Sequence, residues 1–513
     1  MFHSSFICRK VLLPQMAFAC ALLSAQSPLQ RSIPEKEGIS SEAIMKFLTA
    51  ANKIKSTEFH SVMLLRHGKV VSEVYWNPYQ KDLKNRLYSC SKSFTATAIG
   101  FAVQENKLKV TDKVISFFPD KQPSEISDNL KELSIQNLLT MSTGMEKEPD
   151  FIRGSENDWV KAYLAVPIEN KPGSKFNYSS LATFILSAII QKVSGQTVAD
   201  YLKPRLFDPL GIKDYDWENN PQGINTGGWG LRVKTEDMAK FAQLFLQKGK
   251  WNGKQIISED WINEATSAHI LQNPNADEKL KNENDWIQGY GYQMWRGRFN
   301  SFRGDGAYGQ YMLVLPEQDA VVILTAESNN LQEELNVVWE HLLPAFQPKA
   351  LPENKLAYQN LKDLETKISI EALKSETFPK INKSYSFAEN NDKYQSVSLI
   401  SNGEKLEMKL TIDGKTYPFE FTSGKWNQQE TMRIQPISGR KSITDNYKLY
   451  PAKITNSFRW KNDNTLELKT IYLETPHSHW TTISFKDHSI DFELKNSADF
   501  GAKTTILKAT EIK

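Results

Sequence analysis

Apolar side chains recur at helical spacing in several stretches of the chain, and each stretch predicts a helix with one buried face. The first predicted helix covers residues 38–55, with an apolar face formed by Ile44, Phe47, Leu48 and Ala51. The clearest stretches further along are Phe94–Gln104, Ile135–Leu139, Leu181–Val193, Asp237–Gln247 and a final amphipathic helix over Leu331–Leu343. The centre of the chain is therefore predicted to be mainly helical.

Strand patterns flank this helical region on both sides. Before it, Ser61–Arg66 and Val70–Trp76 are rich in β-forming residues and are separated by His67-Gly68-Lys69, which predicts a hairpin. After it, three further strands are predicted: Tyr290–Trp295, Tyr311–Leu315 and Val321–Ala326. We therefore predict an α+β fold in which an antiparallel five-stranded sheet is flanked by helices and interrupted by a large helical insertion.

The pattern changes after about residue 348, where prolines are followed by a short helical stretch, Leu356–Leu364. From about residue 380, apolar and polar residues alternate between turn pairs such as Asn402-Gly403 and Asp413-Gly414. The β-like runs are Leu406–Ile412, Thr465–Leu473, Thr481–Phe485 and Thr504–Leu507. The predicted domains are a first unit over residues 27–348, a linker with a short helix over 349–379, and an all-β barrel or sandwich over 380–513.

The first 26 residues have the order of a signal peptide. Arg9 and Lys10 form a short basic region, residues 11–23 are mostly apolar, and Ser24-Ala25-Gln26 supplies small residues for cleavage. We therefore predict that residues 1–26 are removed and that the protein is periplasmic or secreted. Two alternatives are a buried N-terminal helix and lipid anchoring through Cys20.

The amino-acid composition argues against several binding partners and covalent features. The chain has 63 Lys and Arg residues against 60 Asp and Glu residues and carries no basic stripe, which argues against nucleic acid as a partner. After residue 26 no stretch reaches the ~18 apolar residues of a membrane span.

Cleavage of the signal would remove Cys8 and Cys20 and leave Cys90 as a single thiol, so we predict no disulfide. The histidines form no HExxH-like cluster, and we predict no metal or other cofactor.

Candidate chemistry begins at Tyr88-Ser89-Cys90-Ser91-Lys92, which leads directly into the predicted helix from Phe94. A serine three residues before a lysine at a helix start places both side chains on one face. A serine hydroxyl is a weak nucleophile without an adjacent base, and a desolvated lysine amine can serve as that base. The helix N-terminus adds positive potential where an oxyanion would form.

The Ser-x-x-Lys spacing is weak evidence by itself, because the chain contains it twice. The second copy, Ser438 and Lys441, lies in the β-rich tail with no helix after it and is interpreted as chance. The alternative reading of Ser89 is a helix-capping serine above a solvated lysine.

Two further motifs favour the catalytic reading. Tyr178 lies in a loop just before the apolar helix from Leu181, where its phenol could face a pocket and relay a proton; the alternative is a tyrosine packed at a turn. Residues 302–310 are rich in glycine and enter a strand, so the backbone could approach a ligand and supply an oxyanion donor; the alternative is an ordinary hairpin bend.

Together the three motifs resemble the serine β-lactamase and penicillin-binding-protein superfamily, on its class C β-lactamase, D-aminopeptidase and esterase side. The similarity extends over roughly residues 35–345 and includes three flanking phrases, at residues 135–144, 227–232 and 316–320. This resemblance implies that Ser89 is acylated, that Lys92 assists in removing its proton, and that Tyr178 shuttles a proton to the leaving group and then activates water. It also implies an oxyanion hole formed by the backbone N–H groups of Ser89 and Ala307.

The sequence departs from the family pattern at two places. Ser180 replaces the amide side chain that usually contacts substrate, and Gly304-Asp305-Gly306 lacks the cation with which the family's third motif begins. Ser180, Gly304, Asp305 and Gly306 are the predicted substrate-binding residues. Arg303 is adjacent, but neighbouring side chains on a strand point to opposite faces.

These departures favour hydrolysis of less anionic small-molecule esters, amides or peptides. Together with the predicted signal peptide, they predict an exported hydrolase of such substrates. The alternatives are a D-amino-acid peptide or peptidoglycan hydrolase, a weak β-lactamase, and a non-catalytic binding or sensor protein on the same fold.

Overall fold

The computed structural model describes residues 28–150, 157–433, 451–499 and 504–512. The predicted signal peptide, with Cys8 and Cys20, lies outside the described residues, as does the second Ser-x-x-Lys copy at Ser438 and Lys441.

Helices occupy both ends and the middle of the first part of the chain. Their bounds are α1 (Ser41–Ala51), α2 (Ser91–Gln104), α3 (Asp128–Glu132), α4 (Ile135–Leu139), α5 (Trp159–Leu164), α6 (Ser180–Ser194), α7 (Val198–Leu202), α8 (Asp208–Leu210), α9 (Thr235–Leu246), α10 (Glu259–Thr266), α11 (Glu278–Glu283), α12 (Leu331–His341) and α13 (Lys355–Lys367). The helices predicted from apolar spacing are confirmed at α1, α2, α4, α6, α9 and α12, with ends that differ by a few residues.

Strands of the first part are β1 (Thr57–Arg66), β2 (Lys69–Tyr75), β3 (Lys84–Arg86), β4 (Asp216–Trp217), β5 (Leu231–Lys234), β6 (Lys250–Trp251), β7 (Lys254–Gln255), β8 (Trp295–Arg296), β9 (Phe302–Gly306), β10 (Gln310–Leu315) and β11 (Ala320–Ser328). Six of them form the main antiparallel sheet in the order β2–β1–β11–β10–β9–β8. Strands from both ends of this unit therefore lie side by side, as predicted.

The main sheet separates two hydrophobic cores. On one face, Met312 and Val314 pack with the buried sides of α2, α6 and α9. On the other face, Tyr311 and Leu313 pack with α1, α12 and α13. Because successive residues of a strand point to opposite faces, the continuous apolar run of β10 serves both cores.

The sheet has six strands, whereas five were predicted. The predicted strand over Tyr290–Trp295 is reduced to the start of β8, and the glycine-rich segment forms a strand of its own, β9. Glycine is depleted in strands, which concealed β9 from the sequence pattern. It is needed here because a Cβ atom at Gly306 would lie 2.3 Å from the carbonyl oxygen of Leu87.

Helix α6 is buried along nearly its whole length, and its capping residue is Ser179, whose hydroxyl accepts a hydrogen bond from the Ala182 amide. Among the described residues no single helix is long and apolar enough to cross a membrane, although the bent pair Ser180–Ser194 and Val198–Leu210 meets that test together.

The C-terminal part is a barrel rather than a sandwich. Its strands are β12 (Asn382–Phe387), β13 (Tyr394–Asn402), β14 (Lys405–Ile412), β15 (Lys415–Thr422), β16 (Asn427–Thr431), β17 (Ala452–Asn462), β18 (Thr465–Tyr472), β19 (Ser478–Lys486), β20 (Ser489–Asn496) and β21 (Thr504–Glu511). Nine strands close in the order β15–β14–β13–β12–β21–β20–β19–β18–β17, where Thr422 of β15 pairs with Ser457 of β17, and β16 flanks β17. Alternate side chains such as Leu406, Met408 and Leu410 fill the interior.

Candidate active site

The turn that carries Ser89 comes directly before α2. Ser89 is the middle residue of a 3-10 turn over Tyr88–Cys90, and Leu87 and Cys90 on either side are fully buried. The Cys90 thiol donates to the carbonyl oxygen of Gln310 on β10 at 3.1 Å. Ser89 itself is only partly buried. The buried neighbours therefore anchor the turn to the sheet, and Ser89 keeps part of its surface exposed.

Lys92 lies beneath Ser89 with 1% of its surface exposed. Its side-chain nitrogen Nζ is 3.0 Å from the hydroxyl of Ser89, 3.0 Å from the hydroxyl of Ser180 and 2.7 Å from the carbonyl oxygen of Gly228. The solvated lysine of the alternative reading is therefore wrong. Ser180 contacts Lys92, the predicted base for Ser89, and its predicted contact with substrate stays a prediction.

Tyr178 completes this group from the loop before α6. Its phenol is hydrogen-bonded to Ser89, and its ring centroid is 4.8 Å from the Lys92 nitrogen. The ring stacks on Trp295 of β8, with centroids 5.5 Å apart. The structure therefore brings together the hydroxyl, amine and phenol that the sequence placed in two separate motifs.

The protonation of Tyr178 depends on its surroundings in the folded protein. Burial raises the pKa of Tyr178 above its ordinary value, and the hydrogen bond from Ser89 opposes this shift only in part. The phenol therefore keeps its proton near neutral pH. It is suited to donate a proton first and to accept one only after that donation.

Strand β9 lies against α2 and the Ser89 turn because two of its residues lack side chains. A Cβ atom at Gly304 would lie 3.2 Å from the Ser93 hydroxyl in α2. A Cβ atom at Gly306 would lie closer still, 2.3 Å from the carbonyl oxygen of Leu87. Ala307, which follows β9 and is partly exposed, is thereby carried to the edge of the Ser89 turn. Gly306 thus permits a close approach of two backbones, and Gly304 leaves room for the side chains of Met312 and Ser93.

Arg303 and Asp305 pair with each other on the other face of β9. In the sheet register Asp305 lies opposite Tyr311, whereas Gly304 lies opposite Met312 on the α2 side. The Arg303 guanidinium donates to the Asp305 carboxylate at 3.0 Å, and both side chains are buried. Burial raises the pKa of Asp305, and Arg303 opposes that rise. The substrate contact predicted for Asp305 stays a prediction, and its carboxylate is already neutralised by a neighbour.

Several residues around the site were not assigned a role from the sequence. The carbonyl of Gly228 holds Lys92, and glycine is required there because a Cβ atom would lie 2.5 Å from the carbonyl oxygen of Ser180. The Gly227-Gly228 pair was a usable signal for a close backbone approach. Trp295 carried no such signal, because nothing in its local sequence links it to Tyr178.

Among the described residues, no group of three or more His, Cys, Asp and Glu side chains is placed to hold a metal ion. The absence of a cofactor stays a prediction from the sequence.

The family model described as Beta-lactamase matches residues 52–345. The chain is 23% identical over 314 residues to an uncharacterised protein of Alkalihalophilus pseudofirmus, with 54% of this chain and 86% of that protein covered. It is 21% identical over 296 residues to 6-aminohexanoate-dimer hydrolase of Paenarthrobacter ureafaciens, with 53% of this chain and 73% of that protein covered. Among solved structures, an octameric penicillin-binding protein homologue from Pyrococcus abyssi has a TM-score of 0.46 and 17% identity, with 92% of this chain and 99% of that chain covered.

Proposed function

The chain belongs to the beta-lactamase family, and from this premise we propose that it is an exported serine hydrolase that cleaves ester or amide bonds through an acyl-enzyme on Ser89. One observation carries the proposal. A partly buried serine hydroxyl lies 3.0 Å from the amine of an almost fully buried lysine and is hydrogen-bonded to the phenol of a partly buried tyrosine. A nucleophile, a base and a proton donor within hydrogen-bonding reach are what acyl transfer requires.

The steps follow from these positions. The unprotonated amine of Lys92 accepts the Ser89 proton while Oγ bonds to the carbonyl carbon of the substrate. Backbone N–H groups of Ser89 and Ala307 stabilise the oxyanion. Tyr178 donates its proton to the leaving group as the ester or amide bond breaks. Water then attacks the acyl-enzyme and gives a proton to the Tyr178 phenolate, and Lys92 returns its proton to Oγ as the acid leaves.

The charges beside the site favour substrates without a carboxylate next to the scissile bond. The family position that carries a cation is Gly304, and the guanidinium of the adjacent Arg303 pairs with Asp305. Next to Ser89 the wall is aromatic instead, since Tyr178 contacts Trp295, which also contacts Phe176. The relative named 6-aminohexanoate-dimer hydrolase supports amide hydrolysis within the proposed reaction class.

A fluorophosphonate probe tests the covalent step directly. We expect the native protein to take up one probe per chain, with the added mass on the peptide that contains Ser89, and the Ser89→Ala protein to remain unlabelled. Equal labelling of the two proteins would exclude the proposed nucleophile. A folded native protein that does not react would favour the binding or sensor alternative.

A matched pair of esters tests the substrate class. We expect p-nitrophenyl butyrate to be cleaved at least tenfold faster, in kcat/KM, than the p-nitrophenyl monoester of succinic acid, because the latter carries a carboxylate to which Gly304 offers no cation and Arg303 is already paired with Asp305. A D-alanyl dipeptide and a chromogenic cephalosporin provide the comparison with the alternatives. Faster turnover of the dipeptide than of the neutral ester would identify a peptidase. Faster turnover of the cephalosporin would identify a β-lactamase.

Replacing Tyr178 with phenylalanine should lower kcat for p-nitroacetanilide, whose amine leaving group needs a proton, by roughly 10²-fold, because the proton donor is lost while the ring can still stack on Trp295. Tyr290→Phe is the matched control, since Tyr290 lies in the same aromatic group with its ring 6.3 Å from that of Tyr178. Steady-state kinetics should show less than a twofold change for the control. Equal kcat values for Tyr178→Phe and the native protein would remove Tyr178 from the mechanism.

Export is proposed from the pattern of residues 1–26 alone. Fractionation of cells that produce the full chain, with N-terminal sequencing of the product, tests it. A product that retains residues 1–26 in the cytoplasm would contradict this part of the proposal.

A further inference from the structure

Two tyrosines adjoin the two proposed oxyanion donors. Tyr88 immediately precedes Ser89, and Tyr308 immediately follows Ala307. Both have left-handed backbone conformations, with φ of 47° at Tyr88 and 66° at Tyr308. A bulky residue in that region is strained by about 1–3 kcal/mol and persists only where surrounding contacts hold it. The side chains of both tyrosines show which contacts these are.

Tyr88 is held by the C-terminal barrel through a histidine. The Tyr88 hydroxyl is hydrogen-bonded to Nε2 of His477, which lies in the connection between β18 and β19 and is fully buried. Nδ1 of the same imidazole is 2.7 Å from the carboxylate of Glu327 on β11. Burial raises the pKa of Tyr88, so its phenol keeps its proton and can donate it to Nε2. His477 thus inserts between two residues of the first domain.

Tyr308 is held by a second segment of the barrel. Its hydroxyl donates to the carbonyl oxygen of Ala498 at 2.5 Å, in the 3-10 turn that follows β20. Its ring meets the edge of the His477 ring at 4.5 Å and lies 5.2 Å from the ring of Tyr88. Tyr308 is 1% exposed. The two tyrosines and the barrel histidine therefore form one buried cluster directly behind the oxyanion hole.

We propose that the C-terminal barrel is a positioning element for the oxyanion hole, acting on Ser89 through His477 and Tyr88 and on Ala307 through Ala498 and Tyr308. This inference rests on the proposed function. Backbone N–H groups stabilise an oxyanion only when they are aimed at it, and losing one such donor costs 10²–10³-fold in kcat for well-studied hydrolases. Each barrel contact fixes the peptide next to one donor, so a small rotation there would redirect the N–H group.

Removal of single hydroxyl groups tests this role with the full chain. Tyr88→Phe and Tyr308→Phe keep the rings, and His477→Ala removes the partner of Tyr88. We expect each change to lower kcat for p-nitrophenyl acetate by about tenfold, with KM within twofold of the native value, because the oxyanion forms only after binding. Affinity for a phenylboronic acid, whose tetrahedral adduct with Ser89 resembles the intermediate, should fall by the same factor.

Two further variants separate positioning from general loss of structure. His477→Gln, whose amide can reach the Tyr88 hydroxyl, should recover most of the kcat lost in His477→Ala. The double variant Tyr88→Phe/His477→Ala should be no slower than the slower single variant, since both changes break one link. Lys469→Met is the matched control, because it removes a different contact between the barrel and the first domain, from the Lys469 ammonium to Glu58 at 2.6 Å. It should lower the melting temperature and leave kcat unchanged.

The results of these experiments distinguish failure of the positioning role from failure of the proposed function. Native kcat and boronate affinity in folded Tyr88→Phe and His477→Ala would overturn the positioning role and leave the proposed hydrolase intact. An equal loss of kcat in Lys469→Met would also overturn it, because any damage to the interface would then have the same effect. A native protein without Ser89-dependent hydrolysis would overturn both proposals.

Discussion

Replacing Ser89 with alanine is expected to lower kcat/KM for p-nitrophenyl acetate by about 10⁵-fold or more. The reason is that the covalent route is lost entirely, and the oxyanion donors and substrate binding can supply only a small residual rate. Stopped or continuous spectrophotometric assays that subtract the uncatalysed rate measure this effect. The burst of p-nitrophenol that reports acyl-enzyme formation in the native protein should disappear as well.

The chain provides its own control for this experiment. Ser438 stands three residues before Lys441, the same spacing as Ser89 and Lys92, in a segment where no helix is predicted. Ser438→Ala should leave kcat/KM within twofold of the native value. Hydrolysis that survives in Ser89→Ala and is lost in Ser438→Ala would move the nucleophile to the second copy and refute the assignment.

Replacing Lys92 with methionine is expected to lower kcat by roughly 10³–10⁴-fold, with KM little changed. Methionine is similar in length and apolar, so it suits the buried position, but it cannot accept the Ser89 proton at the distance of 3.0 Å that the structure shows. Fluorophosphonate labelling, followed as a rate constant, should slow by a similar factor. Calorimetry on the same samples shows whether the protein stays folded.

Two further variants show whether Lys92 acts as a base or supplies only a positive charge. Lys92→Arg keeps the charge, but a guanidinium does not release its proton, so a base requires kcat to fall here as well. Lys175→Met changes an exposed lysine in the loop before Tyr178 and should have no effect on kcat. Retention of native kcat in Lys92→Arg would show that the charge, and not proton transfer, is what the site uses.

The Ser89 and Lys92 pair could be predicted from the sequence because its geometry is local. Side chains three residues apart at a helix start share a face in any protein, and the apolar run after Lys92 indicates the helix. Their burial could not be predicted in the same way. It depends on Gly228 and Ser180, which approach Lys92 only after the helical insertion has folded over α2.

For strand β9, in contrast, the local rule that glycine is rare in strands gave a wrong prediction. Gly304 and Gly306 lower the strand signal, and the sequence accordingly predicts five strands where the sheet has six. A Cβ atom at Gly306 would meet the backbone of Leu87, and one at Gly304 would meet the side chain of Ser93, and both neighbours are distant in the sequence. Local propensity therefore counts against a strand that tertiary packing requires.

The C-terminal domain illustrates the same limit at a larger scale. Alternation along Leu406, Met408 and Leu410 predicts a strand with one buried face, and this holds in a sandwich and in a barrel alike. The distinction depends on closure, which here is the pairing of Thr422 with Ser457. No periodicity within a strand encodes that pairing.

The sequence by itself determined the longest helices, several of the strands, the α+β class and the serine and lysine of the candidate site, because each depends on residues within a few positions of one another. Only the tertiary structure decided that the Tyr178 phenol stays protonated, that Arg303 pairs with Asp305, and that His477 contacts Tyr88 across 389 positions of the chain. The physical reason is that burial and the contacts of a buried polar group are set by the packing of whole domains. Such packing brings together side chains whose local sequences carry no information about each other.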